Sequence, residues 1–327
     1  MNHASERAKG PDSGYRTAIK RVAVIGTGVI GASWVSLCLA RGLDVTATDP
    51  APGAENRLRE TVARHWPVLQ QIGLAPDASP ERLTVVAGPE EAVAQADFVQ
   101  ENGPERLEVK RETFARLDAA AAPDVVLATS SSGLTPSAVQ TACRFPGRVV
   151  LGHPFNPPHL VPLVEVLGGE RTDEGAIAAA ITFYESLGKR PIRLRRELVG
   201  HVANRLQAAL WREAFHLVGS GAATVADIDA AIAHGPGLRW ALMGPCLLNH
   251  LSGGPQGLAH TLDHLGPLME AMWADLGDPR LTPELKQSLV RGLDEALAGR
   301  DLDAMVAERD RLLVDLVRQK RAVPDLL

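Results

Sequence analysis

The stretch from Leu151 to Val166, LGHPFNPPHLVPLVEV, sets a histidine and a glutamate around four prolines. Proline fixes φ and bars helix, so the segment holds its side chains with little freedom left to lose. His153 follows RVVLG, which reads as a strand, and Glu165 lies in PLVEVLGG, which reads as another. An imidazole held stiffly with a carboxylate in reach is equipped as a general base, because the carboxylate fixes the tautomer and raises basicity. On the residues alone two plainer alternatives stand beside this one. His153 is then a satisfied loop histidine, or it shares a metal with His159, for which no third ligand is evident.

A second group lies near the start. Gly26-Thr27-Gly28-Val29-Ile30-Gly31 fits GxGxxG, between the apolar run RVAVI and a helical pattern, VIGASWVSLCLARG. In that setting the glycines allow a tight turn and close approach of a pyrophosphate to a helix N-terminus. Asp49 closes the next strand candidate, DVTATD, where a carboxylate can accept from a ribose diol and repel the extra phosphate of NADP. NAD is the expected cofactor, against the alternative of a structural turn.

Positioning both groups requires a sheet. RVAVI (21–25), DVTATD (44–49), LTVV (83–86), DFVQE (97–101), DVVLATS (124–130), RVVLGH (148–153), PLVEVLGG (162–169) and RPIRL (190–194) are separated by helical segments. Apolar strands divided by helices predict an α/β fold with a Rossmann-type, mostly parallel sheet. Beyond Arg196 strand signals stop and helices fill the chain, including 200–221, one starting at Thr224, and 254–277, 281–299 and 303–319. The expected domains are a flexible polar leader (1–20), a dinucleotide-binding domain (21–196) and an all-α domain (197–327).

Composition narrows the function classes. A net charge of −5 with both signs interspersed gives no footprint for nucleic acid or an anionic membrane. The leader lacks the apolar run of a signal peptide, and no window is long and apolar enough to cross a bilayer. Cys38, Cys143 and Cys246 are far apart, which predicts reduced thiols in a cytoplasmic protein without a metal.

Taken together, GTGVIG with Asp49, ENGPERLEVK (101–110), ATSSSGL (128–134), GHPFNPPHLVPLVEV (152–166) and GHVANRLQAALWREAFHLV (200–218) resemble the L-3-hydroxyacyl-CoA dehydrogenase superfamily over residues 21 to about 260. The resemblance implies a helical domain that mediates homodimerisation and an NAD-dependent oxidation of a small-molecule alcohol. It assigns His153 as the general base, Glu165 as its orienting carboxylate, and Ser132 and Asn204 as the groups that hold the reacting oxygen. It places Gly26, Gly28, Gly31, Asp49, Glu105, Lys110 and Asn156 at the cofactor. Lys110 is one of only six lysines, which argues against surface filler.

Within the superfamily, the chain is similar to the branch of L-gulonate 3-dehydrogenase (the lambda-crystallin type) and L-carnitine dehydrogenase, through residues 198–218 and GPGLRWALMGP (235–245). Acyl-CoA members carry a lysine-rich excursion after the second strand. Here residues 50–83 contain no lysine, and Arg57, Arg59, Arg64 and Arg82 are balanced by Glu55, Glu60, Asp77 and Glu81. The expected substrate is a short L-3-hydroxy acid, with Arg239 as a carboxylate clamp or, equally, a structural arginine. Trp211, Trp240 and Phe155 are the aromatics available to a quaternary ammonium, unless all three are core. A short acyl-CoA is the alternative substrate, and a non-catalytic NAD-binding protein the remaining class.

Overall fold

The computed structural model describes residues 14–323. The chain divides into two compact units, with the boundary between Asn204 and Arg205. The first unit is an eight-stranded sheet with helices on both faces. Its strands are β1 (Arg21–Ile25), β2 (Asp44–Thr48), β3 (Leu83–Val85), β4 (Phe98–Glu101), β5 (Val126–Thr129), β6 (Val149–Pro154), β7 (Leu163–Gly168) and β8 (Arg190–Arg193), in the order β3-β2-β1-β4-β5-β6-β7-β8. Its helices are α1 (Val29–Ala40), α2 (Ala54–Ile72), α3 (Pro89–Val93), α4 (Leu107–Ala120), α5 (Pro136–Gln140) and α6 (Glu174–Ser186).

Strand β1 shows why the inner strands read as unbroken apolar runs. Val22 and Val24 join one buried cluster, with Trp34, Phe98 and Phe183, while Ala23 and Ile25 join the other, with Phe114 and Leu117. Successive residues point to opposite faces, and both faces are covered. Each fully buried large apolar side chain contributes about 1.5–3 kcal/mol, and the two layers hold the strand ends that carry the site.

Every neighbouring pair is parallel except β6 and β7. The chain between them, 155–162, is too short for a parallel crossover, so β7 runs back beside β6. At the other key position, β1 has β2 on one side and β4 on the other, a reversal of strand order that opens a crevice beyond their carboxyl ends.

Most of the expected leader, 1–13, lies outside the described residues. Residues 14–20 depart from a free leader. The Tyr15 hydroxyl donates to Asp173 at 2.6 Å, and Arg16 pairs with Asp97 at 2.6 Å and Asp124 at 2.8 Å. Burial alone would raise the Asp97 carboxyl. Hydrogen bonds from Arg21, from the Lys20 and Arg21 backbone and from Arg16 outweigh it and hold the group at about 2.

The second unit is helical. Helix α7 (Ala203–Gly219) begins at the boundary, followed by α8 (Val225–Ala233), α9 (Pro236–Trp240), α10 (Pro245–Ser252), α11 (Gly257–Asp275), α12 (Pro283–Leu297) and α13 (Leu302–Ala322). Thr224 caps α8 in a reciprocal capping box with Asp227, as their spacing predicts. Helices α9 and α10 fall in the 235–252 region, where no helix is expected from periodicity. Each begins with proline, at a first-turn position where its missing N–H is no loss. Leu206, Leu238, Leu262, Leu268, Trp273 and Val290 are all at least half exposed, and Val314 is the buried large apolar residue of this unit among those described.

Candidate active site

His153 lies near the carboxyl end of β6 and Glu165 lies directly opposite it on antiparallel β7. Directly opposed residues project to the same face, so the pairing itself brings the two side chains together. His153 Nδ1 is 2.8 Å from Glu165 Oε2, and both residues are buried. The other carboxylate oxygen, Oε1, accepts the backbone N–H of Val202 and of Ala203, each at 2.9 Å. Burial alone would raise the Glu165 carboxyl. The hydrogen bonds from His153, Ala203 and Val202 outweigh that and hold it below the usual carboxylate range. An ionised Glu165 takes the Nδ1–H of a neutral His153, which leaves the lone pair at Nε2 to receive a proton. Asn204 follows Ala203 directly and is half-buried.

Ser132 is exposed in the turn after β5. Glu105 builds that turn: its Oε1 accepts the Ser131 hydroxyl at 2.6 Å and the N–H of Gly133 and Leu134 at 2.7 and 3.2 Å. Burial raises the Glu105 carboxyl, yet these bonds and Lys110 nearby bring it below its ordinary value. Lys110 stands deeper than a cofactor contact requires. Its ammonium donates to both Glu101 oxygens at 2.9 and 2.8 Å and to the Gly103 carbonyl at 3.2 Å, and both charged groups are 1% exposed. All three of its protons are thereby engaged with protein, so it braces the turn after β4 from behind.

The glycine turn has the expected shape. Gly26 adopts φ 85°, and a Cβ on Gly31 would sit 1.9 Å from the Gly26 carbonyl oxygen, so only glycine allows this close approach. At Gly28, the residue before α1, a Cβ would meet nothing within 4 Å. Helix α1 has no side-chain cap and no acidic residue in its first turn, which leaves its N-terminus suited to a pyrophosphate. Asp49 accepts from the Thr27 N–H at 2.7 Å and from the Ala51 N–H at 2.9 Å, which ties the glycine turn to the end of β2. Each oxygen keeps acceptor capacity for a ribose hydroxyl.

Asn156 is exposed in the loop after β6. Lys189 fastens that loop by donating to the carbonyls of Pro158 and Val161, while His159 bonds Ser33 Oγ through Nδ1 at 2.6 Å. Burial, with His65 and Lys189 beside it, lowers His159 to about 3, so it stays neutral. No cluster of three or more candidate metal ligands occurs among the described residues. Phe155 meets the His153 ring edge-on at 5.6 Å. In the helical unit Arg239 is exposed on α9, and none of the ion pairs among the described residues includes it. Trp211 and Trp240 are 49% and 45% exposed, which removes them from any core.

His201, which the motifs do not single out, is buried with its ring centroid 5.2 Å from that of His153. Ser131, Glu101 and the backbone of Val202 and Ala203 are likewise supporting groups without a sequence signal of their own. The one sequence signal for His201 is its place just before VANRL, a motif already assigned to the site.

Residues 21–198 match the 3-hydroxyacyl-CoA dehydrogenase NAD binding domain, and residues 200–292 match the 3-hydroxyacyl-CoA dehydrogenase C-terminal domain. The chain belongs to the 3-hydroxyacyl-CoA dehydrogenase family. As a member, it is an NAD-dependent oxidoreductase acting on a CH–OH group. It is 55% identical to an L-carnitine dehydrogenase of Streptomyces coelicolor over 300 residues, covering 92% of this chain and 94% of that one. An L-carnitine dehydrogenase of Pseudomonas putida is 49% identical with the same coverage. Among solved structures, a 5-formyl-3-hydroxy-2-methylpyridine 4-carboxylic acid 5-dehydrogenase, described as an NAD+-dependent dismutase, aligns with a TM-score of 0.80. It is 28% identical and covers 93% of this family member and 99% of its own chain. The 3-hydroxybutyryl-CoA dehydrogenase of Escherichia coli aligns at 0.64 with 28% identity, over 84% of this chain and 57% of that one.

Proposed function

We propose that the protein oxidises the 3-hydroxyl of L-carnitine to the 3-oxo acid with NAD, and catalyses the reverse. The carrying observation is near full-length similarity to L-carnitine dehydrogenases, at 55% and 49% identity, in a chain whose His153–Glu165 pair is assembled. Bound NAD supplies the acceptor for the hydride that leaves C3. His153 takes the hydroxyl proton at Nε2, and Glu165 balances the imidazolium that results. Ser132 and Asn204 hold the oxygen as it becomes a carbonyl. Gly26, Gly28, Gly31 and Asp49 receive the cofactor, with Asn156 facing it from the loop, while Glu105 and Lys110 act by shaping the turns around it.

Arg239, exposed on α9 and in none of the ion pairs among the described residues, offers a bidentate contact to the substrate carboxylate. Phe155 presents an aromatic surface beside the base, where a quaternary ammonium is attracted to the ring face. Arginines that an acyl-CoA would use already have partners: Arg59 pairs with Glu55 at 2.8 Å, Arg82 with Asp44 at 3.0 Å, and Arg57 donates to the Pro52 carbonyl at 2.7 Å. Asp44, the partner of Arg82, lies outside the segment 50–83, within which the four arginines and four carboxylates balance as expected.

NADH formation should therefore appear with L-carnitine and be absent with 3-hydroxybutyryl-CoA, and Arg239→Ala should raise KM for the acid about tenfold or more with little change in kcat. An unchanged KM removes the clamp, and turnover of the CoA ester alone removes the carnitine reading.

A homodimer through the helical unit completes the proposal. Its exposed leucines and tryptophans exceed the scattered apolar residues of an ordinary monomer surface. Sedimentation should give twice the 34.8 kDa chain mass, and a monomer at micromolar concentration would contradict it. The three unpaired cysteines fit a cytoplasmic location. No described helix is long and apolar enough to cross a membrane.

A further inference from the structure

His201 is the least explained group near the dyad. It is 0% exposed, and its φ of 54° puts a non-glycine residue in the left-handed region, directly after Gly200 at 75°. Such conformations persist where the surroundings over-determine them, and they gather at functional sites. Nε2 lies 3.1 Å from the Ser131 carbonyl oxygen. A carbonyl only accepts, so Nε2 carries the proton and Nδ1 a lone pair. Nδ1 is fully buried and has no hydrogen-bond partner among the described residues. A native structure rarely strands a buried acceptor without a reason.

The neighbours supply one. The rings of His201 and His153 are 5.2 Å apart and tilted by 53°. Ser131, whose carbonyl His201 holds, precedes Ser132, and the residues after His201 hold Glu165 through the N–H groups of Val202 and Ala203. One side chain therefore links the serine turn to the segment that orients the base. The titratable groups facing it are His153 on β6, Glu165 on β7 and Glu105 before α4, with Lys110 4.0 Å behind Glu105. Burial lowers His201, the Ser131 carbonyl raises it in part, and His153 lowers it further, so the net direction favours the neutral ring.

We propose that His201 is a positioning residue for proton transfer, clamping the Ser131–Ser132 turn against His153 and giving the His153 imidazolium a neutral polar neighbour with a free lone pair. The proposal rests on His153 being the proton acceptor. An apolar ring of similar size in its place leaves the imidazolium less well solvated, which favours the neutral base. Oxidation needs the neutral base, so the acid limb of its pH profile moves to lower pH.

The test is the pH dependence of kcat/KM for oxidation in His201→Phe and His201→Gln, with NADH binding followed by fluorescence. In His201→Phe the acid limb should fall by about 0.5 pH unit and kcat by about tenfold, with NADH affinity held within about twofold. His201→Gln retains an N–H for the Ser131 carbonyl and should keep kcat above about a fifth of its original value. An acid limb in His201→Phe within about 0.2 unit of the unsubstituted protein's overturns the proposal. If His201→Phe cannot bind NADH, His201→Gln decides alone, and kcat below that fifth overturns it. Activity surviving in His153→Ala would instead strike the base assignment, and that result is separable from silence at His201.

Discussion

His153→Ala should lower kcat for oxidation by at least about a thousandfold, the scale of a lost general base, while NADH affinity changes by less than about twofold. The separation follows from placement. The glycine turn, Asp49 and the N-terminus of α1 assemble at the ends of β1 and β2, whereas His153 sits four strands from β2 on β6. Removing the imidazole leaves Glu165 Oε2 without its partner, although Oε1 keeps the N–H groups of Val202 and Ala203. The fold should therefore survive with a loss of about 1–3 kcal/mol, the penalty for a buried group left unpaired. Steady-state kinetics and a fluorescence titration of NADH on the same preparation check both halves. Retained turnover would mean that another group accepts the proton.

Glu165→Gln is the second large effect, and it acts through tautomer choice. The substituted amide still accepts from the N–H groups of Val202 and Ala203 through its carbonyl oxygen, which turns its NH2 toward His153. A donor then meets Nδ1, so the imidazole protonates at Nε2 instead and has no lone pair there for the substrate proton. A drop in kcat of about a thousandfold or more follows, with the site's shape retained. Stability changes with a definite sign. The folded-state Glu165 carboxyl lies below its ordinary value. Its contribution is present above the unfolded value, about 4.3, and is lost as pH falls through the folded value. Thermal unfolding measured from neutral to acid pH should show a shallower decline in Glu165→Gln. An unchanged slope would mean that the carboxylate does not carry this part of the acid sensitivity.

The structure bears out the sequence unevenly, for physical reasons. The eight strands were legible because each inner strand is covered on both faces, so its residues are apolar without interruption. The glycine turn was legible because only glycine tolerates a contact as close as that of Gly31 with Gly26. The His153–Glu165 pair was visible as a spacing, twelve residues apart with prolines between, but the antiparallel register that makes it a hydrogen bond is a property of the folded sheet. The supporting groups lay beyond reach. Glu105 and Ser131, His201 and the Ser131 carbonyl, and Lys110 and Glu101 meet across loops whose residues have no periodicity to announce them. Lys110 shows the difficulty: its rarity marks it as purposeful, yet rarity does not say that its charge is spent on a buried glutamate. Helices α9 and α10, too short to establish a period, escaped for a related reason.

In the proposed reaction a hydride leaves C3 of a short 3-hydroxy acid for NAD while His153 takes the proton. Its most direct test is to oxidise L-carnitine deuterated at C3 with NAD+ and to weigh the NADH formed. One deuterium per NADH, with NADH formation in the His153→Ala reaction slowed at least about a thousandfold, is the predicted result. NADH without deuterium, or none from L-carnitine while 3-hydroxybutyryl-CoA is turned over, would contradict it.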